Sequence, residues 1–289
     1  MYERGCSYKK NLLHIDKNKT SSFESYTQVF SVWSDKDKSD EENYRRFYRI
    51  LEYALSDPDF PPVITEKTQL KNGGAIIGAE DARLLSGNIQ RLKALHSAGL
   101  RVLTFGWEGV SCICGSHDTD MGLTAFGREI ADECARLSVI ADVSHLSDKG
   151  TKELLSVDGL PLMASHSLSR ALCNVSRNLP DDLARGIAEK GGIIGVSLVG
   201  SHIASDYEQN GADTEALCLH VKRMLSLAGE NAIAIGADFD GTQKLPKEIC
   251  DVSDIEKIRD TFVKNGVPNT VSDKIFYTNA YRFFERSMS

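Results

Sequence analysis

Seven short, almost uninterrupted apolar runs constrain this chain more than any other feature. They are "TQVFSVW" (27–33), "AIIGAE" (75–80), "RVLTF" (101–105), "VIADVSH" (139–145), "PLMASH" (161–166), "GIIGVSL" (192–198) and "AIAIGADF" (232–239). None alternates strictly between apolar and polar residues, as a strand with one wet face does. A strand apolar on both sides of its pleat has to be covered on both, which is the situation of parallel strands in α/β proteins. Parallel neighbours cannot be joined by a tight turn, so each pair needs a crossover, usually a helix. The intervening stretches offer one. "AEDARLLSGNIQRLKALHSAG" and "TAFGREIADECARLS" carry a helical period, and "NLPDDLARGIAEKGG" offers Asn178 as a cap, Pro180 in the first turn and Gly191–Gly192 as a stop. "SDKDKSDEENYRR" (34–46) is the most polar stretch and reads as a solvated loop entering a helix. The expectation is an α/β fold, with residues 1–289 forming one domain of repeated strand–helix units.

The ends of these runs carry the chemistry. Glu80, His145, His166 and Asp238 each stand at or beside the C-terminal end of a different run. In a TIM (β/α)8 barrel that rim is where strand ends and βα loops assemble the active site. An open doubly wound sheet would instead bind at a switch point, typically through a Gly-rich phosphate loop, and no such motif occurs here. A barrel is therefore expected, although seven runs are one short of eight.

His145 in "ADVSHLS" and His166 in "MASHSLS" both follow a serine and lie 21 residues apart, room for one helix between neighbouring strands. Alone, each reads as a satisfied interior histidine. Together with a carboxylate from Glu80 they make a donor set for a zinc-like ion. Asp238 in "IGADFDG" is placed to accept or steer the proton of an attacking water, its competing role being a helix cap. Arg177 in "VSRNLPDD" is suited to a substrate carboxylate, the simpler alternative being a salt bridge with Asp181 or Asp182. His96 and His220 fall in helical segments, His202 lacks suitably spaced partners, and His117 lies in a polar loop that could border the site. No G-x-S-x-G elbow or other Ser or Cys nucleophile stands out, and Cys173 reads as a small apolar helix residue.

Composition narrows the setting. The formal net charge of -7 argues against nucleic acid as a partner, and no run approaches a membrane span or a signal peptide. The seven cysteines form no zinc knuckle and read as reduced thiols, which points to the cytoplasm.

Three segments together, "GLTAFGREIADECARLSVIADVSHLSDKGTKELL", "ASHSLSRALCNVSRNLPDDL" and "IAIGADFDG", resemble the membrane dipeptidase (renal dipeptidase) family, and the resemblance extends from about Thr27 to the C-terminus. It implies a binuclear zinc peptidase on a (β/α)8 barrel that hydrolyses dipeptides, with many soluble bacterial relatives. It also assigns roles: Glu80 as the carboxylate bridging two zincs, His145 and His166 as ligands of one zinc, Arg177 as the substrate-carboxylate contact and Asp238 as the acid/base or water-orienting residue. "LTFGWEG" departs from the family's "L-T-x-x-H-N" type motif, placing Trp107 nearest a histidine implicated in polarising the carbonyl.

The family's His-x-Asp pair, ligands of the other zinc, closes its first barrel strand, and "NLLHIDKNKT" invites His14 and Asp16 into that role. Residues 17–26 are too short and too polar for a crossover helix, which needs roughly a dozen residues. His14 and Asp16 are therefore left out of the metal site, and the first barrel strand is expected to be missing, leaving one zinc site incomplete. The expected function is a zinc-dependent dipeptidase acting on a dipeptide partner, with a homodimer allowed. The rival is an impaired barrel remnant that binds a metal or a dipeptide-like ligand without turnover.

Overall fold

The computed structural model describes residues 1–288. They form two compact units: Met1–Lys9, Glu24–Leu162 and the residues from Phe284 in one, Lys10–Phe23 and Met163–Phe283 in the other.

In the first unit, β1 (Thr27–Trp33), β2 (Gly74–Glu80), β3 (Leu100–Thr104) and β4 (Ile140–Asp142) pair in that order, all parallel. Their register levels the C-terminal ends: Trp33 pairs with Glu80, Glu80 with Thr104, and Thr104 with Asp142. The crossovers are helices with recognisable starts. Ser39 accepts from Glu42 N at 3.1 Å to begin Asp40–Ser56, with three acidic residues in the first turn where the helix dipole favours them. Asn88 caps Ile89–Ser97, and Thr124 caps Ala125–Leu137.

The second unit carries β5 (Leu162–Ser167), β6 (Ile193–Val196) and β7 (Ile233–Ile235), again parallel and in chain order. Met163 pairs with Ile193, and Val196 with Ile235. Asp181–Glu189 and Thr214–Ala228 connect them, and Ile255–Lys264 follows. Among the described residues no helix is long and apolar enough to cross a membrane.

The seven apolar runs coincide with the seven strands found among the described residues: β1 has the expected bounds, β2 starts one residue earlier, β3 and β5 are displaced by one, and β4, β6 and β7 are shorter. "VIADVSH" contributes only Ile140–Asp142 and "AIAIGADF" only Ile233–Ile235, because the residues after them turn out of the sheet. β3, β4 and β6 are buried throughout and β2 up to Glu80, as strands covered on both faces must be. β1 departs from that expectation: none of its residues is fully buried, and Thr27, Gln28 and Ser31 give it polar atoms a covered strand lacks.

Three local expectations are corrected. Residues 79–99 are not one helix. A 3-10 turn over Ala82–Leu85 ends at Ser86 in the left-handed region, and the helix restarts after Asn88. Asn178 is not a cap: Pro180 holds that position, while the buried Asn178 amide accepts from Leu168 N (3.2 Å) and donates to Cys173 O (2.9 Å) and His202 O (2.8 Å). Cys173 lies in the resulting bend, buried, and not in a helix.

Candidate functional site

In the first unit the site begins at the levelled strand ends. Glu80 is the last residue of β2, and its Oε1 lies 3.1 Å from His145 Nε2, with both side chains less than one-fifth exposed. His145 stands three residues beyond β4 in a turn built by Asp142. One Asp142 oxygen accepts from Ser144 N at 3.0 Å and the other from Thr104 Oγ1 at 2.7 Å. The turn puts His145 at φ 71, a left-handed conformation uncommon outside glycine. The ring is then oriented from behind, since His145 Nδ1 meets Trp107 O at 3.2 Å. A carbonyl only accepts, so Nδ1 carries a proton, and the ring turns Nε2 toward the Glu80 carboxylate. A proton shared between them, or a metal ion held by both, suits an imidazole nitrogen and a carboxylate oxygen at that separation.

Rings pack around this pair. Trp107 and His117 each lie with ring centroids 6.0 Å from His145, and Trp33 meets Trp107 edge-on at 5.1 Å. The His117 amide donates to His145 O at 2.7 Å, fastening the β3–β4 loop to the β4 exit.

In the second unit His166 lies within β5, buried, one residue from its end. Arg177 is not paired with Asp181, which meets Arg223 instead. Its Nη2 donates to His166 Nε2 at 2.9 Å. The accepting Nε2 leaves the His166 proton on Nδ1, directed at Ser165 Oγ 2.8 Å away. Burial, then the Arg177 guanidinium and His202, push the His166 pKa well below the usual histidine range, so the ring is neutral and ligand-ready. Asp238 stands three residues beyond β7 with Oδ2 4.0 Å from His166 Nε2.

Asp238 and Asp240 are both left-handed, at φ 57 and 68, and Gly241 closes the turn by donating to Asp238 O at 3.1 Å. A Cβ on residue 241 would sit 2.2 Å from Asp238 Oδ1, so only glycine lets the carboxylate fold back there.

His14 and Asp16 have other duties. Asp16, buried, caps the one-turn helix Lys17–Thr20 and binds Lys19 Nζ at 2.9 Å. His14 and Asp240 exchange two hydrogen bonds. The sequence reading missed Trp107 O, the Thr104–Asp142 bond and the His14–Asp240 pair. A backbone carbonyl has no side-chain signature, and the last partners lie 226 residues apart.

The model of the membrane dipeptidase family, Peptidase family M19, matches residues 10–288. An uncharacterized protein in the pqqA 5' region of Klebsiella pneumoniae is 32% identical over 213 residues, 70% of this chain and 78% of that protein. Dipeptidase 3 of Mus musculus is 27% identical over 220 residues, covering 73% of this chain and 44% of the mouse protein's length. Among solved structures, a metallo peptidase from Rhodobacter sphaeroides, liganded with a phosphinate mimic of the dipeptide L-Ala-D-Ala, shares the fold. It matches with a TM-score of 0.88 at 22% identity, over 96% of this chain and 91% of that one. The chain belongs to the membrane dipeptidase family of metallopeptidases.

Proposed function

We propose that the protein is a zinc-dependent dipeptidase working in the cytoplasm. The observation that carries this reading is the Glu80 carboxylate 3.1 Å from Nε2 of His145, whose other ring nitrogen donates to Trp107 O, in a chain of this family. The proposed donor set, one carboxylate and two imidazoles from Glu80, His145 and His166, suits zinc in type and number. Trp107 O and Ser165 Oγ hold the remote nitrogens of the two rings, the outer hydrogen bonds that ligating histidines ordinarily make. These residues account for one zinc site of the two the family resemblance implies. Zinc bound there supplies positive charge that activates water and polarises the peptide carbonyl.

The chain's other residues complete the reaction. Arg177 turns its guanidinium from His166 to the C-terminal carboxylate of the dipeptide, a bidentate pairing that fixes the register of the peptide bond. Asp238 takes the proton of the attacking water as the C–O bond forms. It returns that proton to the leaving nitrogen as the C–N bond breaks, so atoms and charge balance.

The test is hydrolysis of an L,L and L,D dipeptide panel by the zinc-loaded protein. We expect release of both amino acids from at least one substrate, with Glu80→Gln and His145→Ala each at least about 100-fold slower, since losing even an outer partner of a ligand costs 10–100-fold. A folded, zinc-loaded protein that cleaves nothing overturns the proposal and favours the remnant that binds without turnover.

A further inference from the structure

We infer that His14 is a positioning residue for the reaction: it latches the turn that carries Asp238, and so rests on the function proposed above. The turn needs holding. β7 ends at Ile235, and the backbone then passes through two left-handed residues, Asp238 and Asp240, on either side of Phe239. Aspartate tolerates that conformation better than most side chains, yet it remains sparsely populated and persists only where surrounding contacts over-determine it. At its near end the turn is tied to β6, Gly236 N donating to Val196 O at 3.1 Å. Its far end is tied to His14.

The tie is reciprocal. The His14 amide donates to Asp240 Oδ1 at 2.5 Å, and the Asp240 amide donates to His14 Nδ1 at 2.9 Å. Because a backbone N–H can only donate, Nδ1 is the acceptor and the ring is held in its Nε2–H form. The ring also packs on Phe239, with centroids 5.6 Å apart. One histidine thus uses backbone, ring nitrogen and ring face on two consecutive residues of the turn.

The latch has a firm base. His14 O accepts from Val252 N at 3.1 Å, and Lys19 Nζ donates to Leu13 O at 2.6 Å and to Asn11 O at 3.1 Å. Asp16 receives Asn11 N and Lys19 N at 3.0 and 2.9 Å. Residues 11–19 are therefore stitched internally, so force on the turn is met by a stiff support rather than a loose segment. This also gives "HID" its meaning: Asp16 builds the support and His14 carries the contact.

The test compares three variants with the zinc-loaded parent. His14→Phe keeps a ring for Phe239 and loses the acceptor, His14→Asn restores an acceptor oxygen near the Nδ1 position, and Asp240→Ala removes the reciprocal bond. With His14→Phe and Asp240→Ala we expect kcat on the best dipeptide to fall about 10- to 100-fold, with KM within about twofold and zinc content unchanged, as for an Asp238 displaced by about an ångström. His14→Asn should recover most of the loss.

Amide hydrogen exchange supplies a reading independent of turnover: the Asp240 amide should be protected in the parent and in His14→Asn, and at least about tenfold less so in His14→Phe. Full kcat in a His14→Phe protein whose Asp240 amide exchanges freely overturns the inference. So does an Asp240 amide already unprotected in the parent, or kcat falling in step with zinc content. If the parent hydrolyses nothing, the dipeptidase reading fails, and the exchange result decides the latch by itself.

Discussion

At the scale of single residues, the histidines of this chain are defined by which nitrogen carries the proton. His220 is the clearest case outside the site. Buried in Thr214–Ala228, it accepts from Ser169 N through Nδ1 at 3.2 Å, and Nε2 donates to Ile203 O at 3.0 Å. Both nitrogens are used by a neutral ring. Burial lowers its pKa, opposed only by the Ile203 carbonyl, which favours the charged form. The sign of the pH effect follows. Below about pH 6.5 the unfolded chain binds a proton at this ring that the folded chain refuses, so stability present above that pH is lost as pH falls toward the lowered folded value. Across that window one such group tilts the unfolding free energy by at most about 1.4 kcal/mol per pH unit. Urea denaturation of the parent and of His220→Gln at pH 7.5 and 5.5 checks this. The variant should be less stable at the higher pH and lose less on acidification, and equal pH slopes for the two proteins would defeat the assignment.

At the scale of elements, the "GLTAFG" stretch shows how a short motif becomes a built corner. Thr124 Oγ1 accepts from Gly127 N at 2.9 Å and donates to Cys112 O at 2.6 Å, so one hydroxyl caps Ala125–Leu137 and ties the preceding loop to it. The helix then packs so closely on that loop that a Cβ on residue 127 would stand 2.0 Å from Ile113 O. Alanine favours a helix interior over glycine by about 1 kcal/mol. Here the collision outweighs that gain, and Gly127→Ala is expected to destabilise by about 1–3 kcal/mol, measured by urea denaturation. A variant as stable as the parent would show that the corner yields. The same scale explains the Asn178 correction. Cap residues and buried loop clamps share one chemistry, an amide bonding to backbone, and sequence position alone did not separate them.

At the scale of the whole molecule, a metal bound only by the folded chain adds its binding free energy to stability, about 2.7 kcal/mol when free metal is a hundredfold above its Kd. For a chain of 289 residues that corresponds to a Tm rise of roughly 4–5 °C. Thermal unfolding with zinc and with chelator should show that difference in the parent and lose it in His145→Ala and His166→Ala. A parent whose Tm ignores zinc would remove His145 and His166 from the ligand set. Arg177→Lys serves as the contrast: it leaves the zinc-dependent rise intact while raising KM, because an ammonium cannot reproduce the guanidinium fork.

Much of this architecture follows from the amino-acid sequence by itself. Seven apolar runs without alternation dictate parallel strands, and ionisable residues recur where those runs end. Both signals are local and periodic, so they survive reading one residue at a time. Only the tertiary structure decided the rest: that β1 is half-exposed, that Arg177 bonds to His166 while Asp181 takes Arg223, that Trp107 O turns the His145 ring, and that His14 holds Asp240. Hydrogen-bond partners are chosen by distance in space, and backbone carbonyls and left-handed φ values leave no trace in composition or spacing. The sequence could name a histidine; the fold alone could say which of its nitrogens donates and which accepts.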